Sequence, residues 1–196
     1  MLKVGISGVI GSGKSTVCSI FQLLGAPVYN ADHEAKMLYQ KEDVKQLVEE
    51  NFGAEVFDPS GNIVFSKLAD IVFNNRQQLQ RINQIIHPLV KEDFRDWCGQ
   101  YAKRPYVLYE SALLYESGFY KDYERSIVVL APQDLCIKRI VARDHVSEDQ
   151  VRARLQSQWS PDKTAKLANF LIHNDEKQLL IPQVLDIHAK IVDGTY

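Results

Sequence analysis

A basic surplus is missing from this chain: 23 lysines and arginines stand against 25 aspartates and glutamates over 196 residues, a formal charge of −2. A broad nucleic-acid-binding face normally carries excess cations, so no nucleic acid partner is expected; a local basic pocket for one anion stays open. Cysteine is scarce too. Cys18, Cys98 and Cys136 are odd in number, far apart and in no metal-ligating spacing, which argues for reduced structural thiols. No apolar run approaches the roughly 18 residues that span a bilayer, so no membrane partner is expected. Met1-Leu2-Lys3 enters a strand pattern directly, without the apolar core of a signal peptide. The expectation is a cytoplasmic enzyme or switch. No internal repeat and no low-complexity segment occurs.

What remains is an ordinary globular composition, 45% hydrophobic and 24% charged, and enough chain for a substantial core with insertions. Residues 2–7 read as a short strand. After Lys14, Val17, Ile20, Phe21 and Leu24 recur at helical spacing, with Gly25 placed to close the helix. Residues 27–29 form a second brief strand ending at Asn30-Ala31-Asp32. From 32 to 103 the pattern is helical, broken by the turn cluster Asp58-Pro59-Ser60-Gly61-Asn62, and Pro88 is placed to start a further helix. Strand patterns return at 106–109 and 126–130. A helix follows from Ala131-Pro132 through Arg143, and Ser147-Glu148-Asp149-Gln150 has the form of a capping box. Residues 170–172 are the last strand candidate, and 175–191 the closing helix. Strands alternating with helices imply a parallel sheet covered on both faces.

The stretch Gly8-Val9-Ile10-Gly11-Ser12-Gly13-Lys14-Ser15-Thr16 satisfies G-x-x-x-x-G-K-[ST], between a strand reading and a helix reading. Around Gly11, Ser12 and Gly13 the backbone can turn its N–H groups inward, onto a phosphate at a helix N-terminus. Lys14 would reach the terminal phosphates, Ser15 would ligate Mg²⁺, and Thr16 would meet another phosphate. A guanine-reading Asn-Lys-x-Asp segment is absent, which turns the reading from a GTPase switch toward a small-molecule kinase.

A kinase also needs an acceptor-orienting carboxylate, an acceptor pocket and cations over the phosphates. Asp32, read at the end of the second strand, is the candidate base; a helix cap is its other reading. Glu110 ends the 106–109 strand in the same layer and would hold Mg²⁺ through water, unless it is an ordinary polar strand end. Arg139 and Arg143 stand at i, i+4 and would clamp the transferring charge on a closing lid; solvated surface arginines are the alternative. His87 by itself reads first as a satisfied structural histidine, with an acceptor-side role as its other reading.

Together these residues make the chain resemble the dephospho-CoA kinase family over nearly its whole length. The resemblance rests on GVIGSGKSTV, Asn30-Ala31-Asp32, LADIVF (68–73), IIHPLV (85–90), LLYESG (113–118), KRIVARD (138–144), LQSQ (155–158) and NFLIHND (169–175). It implies an α/β doubly wound parallel sheet of the P-loop kinase type, with a helical substrate-binding insertion and a helical lid. The division expected is a nucleotide-binding core of 1–32, 104–138 and 160–196, an acceptor-binding insertion of 33–103 and a lid of 139–159. The implied reaction is ATP-dependent phosphorylation of the ribose 3′-hydroxyl of dephospho-CoA, with ATP as co-substrate and Mg²⁺. Carried over, Asp32 is the base, Lys14 and Ser15 the phosphate and magnesium contacts, and Arg139 and Arg143 lid arginines. His87, Leu113 and Glu116 fall on the acceptor side, and Asn174 near the adenine of ATP. The rivals are another nucleoside or nucleotide kinase, and a nucleotide-dependent binding switch. Four positions depart from the family. Val9 replaces a usual Gly and leaves the loop one less free backbone position; Ala112 replaces a Pro, loosening the turn after the third strand. Phe65 stands where an Arg is expected, and Asn169 replaces an Asp, removing a charge near the nucleotide end.

Overall fold

The computed structural model describes residues 1–73 and 75–195. They divide into two compact units, one of residues 1–30 and 101–196 and the other of residues 31–100.

The first unit is built on strands β1 (Leu2–Ser7), β2 (Val28–Asn30), β3 (Tyr106–Glu110), β4 (Arg125–Leu130) and β5 (Phe170–His173). They form one parallel sheet in the order β2-β3-β1-β4-β5. The chain leaves β1 to both sides, so the switch point of the topology falls at the carboxyl end of β1, where open α/β sheets bind ligands. Helix α1 (Lys14–Leu23) ends as expected, with Gly25 at φ 85 donating to the Gln22 carbonyl. Val17 and Phe21 pack with Val4, Ile6, Leu108 and Ile127 into the main core, closed by Val184, Ile187 and Ile191 of the last helix. Each large side chain fully buried there contributes roughly 1.5–3 kcal/mol. On the other face, Tyr109 stacks on Tyr29, and a Cβ on Gly5 would press 2.7 Å from Leu114.

The second unit holds α2 (Ala31–Leu38), α3 (Glu42–Phe52), α4 (Phe65–Phe73) and α5 (Arg76–Gly99). No named strand occurs among its described residues. Pro88 does not begin a helix; it lies inside α5. Ile82, Ile86, Val90, Phe94 and Cys98 keep one buried stripe across it, and that packing outweighs the backbone hydrogen bond a proline removes. The turn cluster is as read, with Asp58 Oδ1 accepting from the Ser60 and Asn62 amides.

Back in the first unit, α6 (Gln133–Asp144), α7 (Glu148–Gln156), α8 (Pro161–Ala165) and α9 (Leu180–Asp193) complete the chain. Ser147 and Gln150 form the expected capping box at α7. The closing helix begins at Leu180 rather than Asp175. The Asp175 carboxylate instead accepts from the Lys177 and Gln178 amides, and Glu176 sits at φ 63, so the chain turns before it winds. Asn169 also departs from expectation. Its Oδ1 accepts from the Ser126 amide at the amino edge of β4 and β5, away from the nucleotide end. Among the described residues no helix is long and apolar enough to cross a membrane.

Candidate active site

The loop after β1 closes on itself before α1. Ser12 donates its amide to the Val9 carbonyl, and Lys14 Nζ donates to the carbonyls of Gly8 (2.7 Å) and Val9 (3.4 Å). Two glycines here are obligatory. Gly11 (φ 82) lies against α6, where a Cβ would stand 2.6 Å from the Cys136 carbonyl. Gly13 (φ 92) lies under Asn174, whose amide nitrogen a Cβ would strike. Val9 is not among the residues with positive φ, so the valine costs the loop no backbone freedom that it uses. α1 begins directly behind the loop, and the amino end of a helix favours a bound anion.

Beside the loop, two strand ends and the first turn of α1 bring one polar cluster together. Glu110, 7% exposed, accepts from the Ser15 hydroxyl (3.3 Å) through Oε1 and from Asn30 Nδ2 (2.8 Å) through Oε2. A hydroxyl beside a carboxylate is a hard-oxygen pair suited to Mg²⁺, which takes few protein ligands and keeps waters. Among the described residues no group of three or more His, Cys, Asp or Glu gathers as a metal site. Burial, and then the Glu110 carboxylate, push the Cys18 thiol well above its ordinary range, so this cysteine is no nucleophile.

Arg139 lies against the outer side of the loop. Its guanidinium donates to the carbonyls of Gly11 and Asn174, to Asn174 Oδ1 and to Glu176 (3.2 Å). Asn174 in turn donates Nδ2 to the Ser12 carbonyl (2.8 Å). Arg143 is turned elsewhere. It is 65% exposed and pairs with Asp144, which also receives Arg154, so the two arginines share no acidic partner. Hydrogen bonding from Arg143 holds the Asp144 carboxyl below its usual range.

Of the acceptor-side candidates, Glu116 Oε1 accepts from the Trp159 amide at 2.6 Å, and Leu113 is half exposed. A cavity of about 260 Å³ opens between Val9, Ala131 and the 155–161 stretch. His87 is half-buried in α5, its imidazole held below 6.5 by burial and then by the Lys91 charge. Asp32 is not at a strand end and does not cap a helix from outside; it is the second residue of α2, in its first turn. Phe65 opens α4 with its ring edge-on to Tyr39 (5.3 Å). Asn30 and Gln158 carry side-chain amide bonds at this site and had no role assigned from the sequence. Each sits in a quoted motif, but an amide gives no sign of its partners until the strands are in place.

This loop on a parallel sheet, with an acid at the neighbouring strand end, defines a P-loop small-molecule kinase. Shikimate kinase from Acinetobacter baumannii shares the fold, with a TM-score of 0.55 at 16% identity over 100% of this chain and 95% of that one. The family model for dephospho-CoA kinase matches residues 2–179. A dephospho-CoA kinase of Bacteroides fragilis is 38% identical over 190 residues, 96% of this chain and 92% of the relative. The dephospho-CoA kinase structure from Campylobacter jejuni superposes with a TM-score of 0.71 at 25% identity, over 99% and 98% of the two chains. The chain belongs to the dephospho-CoA kinase family, ATP-dependent phosphotransferases whose acceptor is a hydroxyl of dephospho-CoA.

Proposed function

We propose the following division of labour for the transfer of the ATP γ-phosphate to the ribose 3′-hydroxyl of dephospho-CoA, which gives coenzyme A and ADP. The polyphosphate lies on the amides of Gly11, Gly13 and Thr16, and on that of Ser12 once it leaves the Val9 carbonyl, while Lys14 leaves the Gly8 carbonyl for the terminal phosphates. Asn174 sits toward the adenine. Ser15 would ligate Mg²⁺ directly and Glu110 would hold it through water, and the ion would supply neutralisation of charge on the phosphate oxygens. The carrying observation is the Ser15–Glu110 pair, two oxygen donors drawn together beside the loop.

Asp32 takes the proton of the 3′-hydroxyl. Supporting this, two peptide units separate it from Asn30, so covalent geometry keeps it within about 7 Å of a residue that bonds Glu110. Residues 33–103 bind the acceptor with His87, while Leu113 and Glu116 line its approach. Residues 139–159 act as the lid, with Arg139 and Arg143 turning from Glu176 and Asp144 onto the phosphoryl group as it moves. The enzyme works in the cytoplasm, which the three buried free cysteines favour.

The test is ADP release with dephospho-CoA, adenosine and several nucleoside monophosphates as acceptors. Acceleration by dephospho-CoA alone is expected. Equal acceleration by a nucleoside monophosphate would favour another kinase, and turnover indifferent to every acceptor would favour a nucleotide switch.

A further inference from the structure

Within the 139–159 stretch, one motif has no residue given a role of its own above: the LQSQ of residues 155–158, which closes α7. Its last residue, Gln158, makes two hydrogen bonds across great sequence distances. Oε1 accepts from the Ile10 amide at 2.9 Å, and Nε2 donates to the Ala112 carbonyl at 2.9 Å. The direction of the side-chain amide follows from its partners, because a backbone N–H only donates and a carbonyl only accepts. Both bonds are partly buried, so each partner would lose more than an exposed group if left unpaired. The next residue adds a third tie, the Trp159 amide to Glu116 Oε1.

Ile10 belongs to the phosphate loop; Ala112 leads directly into Leu113 and Glu116 on the acceptor side. Gln158 therefore fastens the donor loop to the acceptor-side segment through one rigid amide, at the end of the stretch that carries the lid arginines. In-line phosphoryl transfer depends on holding acceptor oxygen and γ-phosphate in register, and a displacement of 1 Å can cost about 100-fold in rate. We infer that Gln158 is a positioning residue for the transfer, setting the phosphate loop against segment 112–116 through its bonds to Ile10 and Ala112. It touches no reacting atom in this role. The inference rests on the dephospho-CoA kinase reading and adds to it a determinant of kcat.

Two substitutions test it. Gln158→Met keeps length and volume but removes both bonds. Gln158→Glu keeps an acceptor for Ile10 yet sets a carboxylate oxygen against the Ala112 carbonyl oxygen. Only when that carboxyl takes up a proton can it donate to Ala112, which restores both bonds. With ATP and dephospho-CoA as substrates, both variants should lose about 10- to 100-fold in kcat at neutral pH. KM for ATP should change by less than about threefold, because the loop amides and Lys14 remain. Divided by the parent's rate at each pH, the Gln158→Glu rate should climb several-fold from about pH 8 to about pH 5.5, and the Gln158→Met ratio should stay flat. A residue of merely structural importance would lower the melting temperature and the folded fraction without that pH signature. A Gln158→Met kcat within about twofold of the parent, or a flat Gln158→Glu ratio, would overturn the positioning role while the parent's activity leaves the reaction assignment standing. No ADP release by the parent with dephospho-CoA would overturn the reaction assignment and the positioning role together.

Discussion

Glu110 is where stability and catalysis can be separated most cleanly. It is buried, and it accepts one bond from Ser15 and one from Asn30. Glu110→Gln keeps the shape: the new carbonyl accepts from Asn30, and the new amide donates to the Ser15 oxygen. Two charge-assisted bonds of about 1.5–3 kcal/mol become neutral ones of about 0.5–1.5, a loss on the order of 2 kcal/mol. A buried carboxylate also costs several kcal/mol in desolvation, and relief of that cost offsets the loss. The melting temperature should therefore stay within about 4 °C of the parent. Glu110→Ala behaves differently, because it strips the acceptor from both partners. At about 1–3 kcal/mol for each unpaired group it should lower the melting temperature by roughly 10 °C. Both should lose about 100-fold or more in kcat, and Glu110→Gln should need far more Mg²⁺ for half-maximal rate. The assays are thermal melts of the three proteins and initial rates over a Mg²⁺ titration. A Glu110→Gln enzyme with the parent's rate and Mg²⁺ dependence would refute the metal assignment, whatever the melts show.

Lys14→Ala should abolish transfer in a folded protein, read by ADP release alongside a circular dichroism melt; residual transfer above about 1% would contradict its role on the phosphates. Asp32→Asn should cut turnover by roughly 10²- to 10⁴-fold with ATP binding by calorimetry nearly unchanged, and near-normal turnover would leave it a helix first-turn residue. Gly13→Ala forces a left-handed residue onto Asn174; a loss of about 1–2 kcal/mol from backbone strain alone predicts a melting temperature lower by roughly 2–8 °C and weaker ATP binding. His87 is held below 6.5 in the folded protein, so the unfolded chain binds its proton more readily. Its share of stability is present above pH 6.5 and lost as pH falls from there toward the folded value, and His87→Gln should flatten that slope in urea titrations.

Local signals carried much of this protein. The glycine loop, the helix behind it and the capping box at Ser147 are set by neighbours a few residues apart, and each was legible. Where reading failed, a longer-range term had prevailed. Pro88 marks a helix start on propensity, yet the buried stripe from Ile82 to Cys98 carries α5 through it. Asp32 follows a strand by pattern, but the helix begins one residue before it. Asn169 stands five residues before Asn174, and a strand between them sends the two to opposite edges of the sheet.

The sequence by itself determined that this chain grips a polyphosphate, and its ordered motifs pointed to a kinase family, because loop chemistry depends on spacing along the backbone. Which side chains meet was decided by the tertiary structure alone. Glu110 and Ser15 lie 95 residues apart and Gln158 and Ile10 lie 148 apart. Parallel pairing of β3 with β1, and the return of the chain after α7, close those distances, and no local preference in the sequence encodes such pairings.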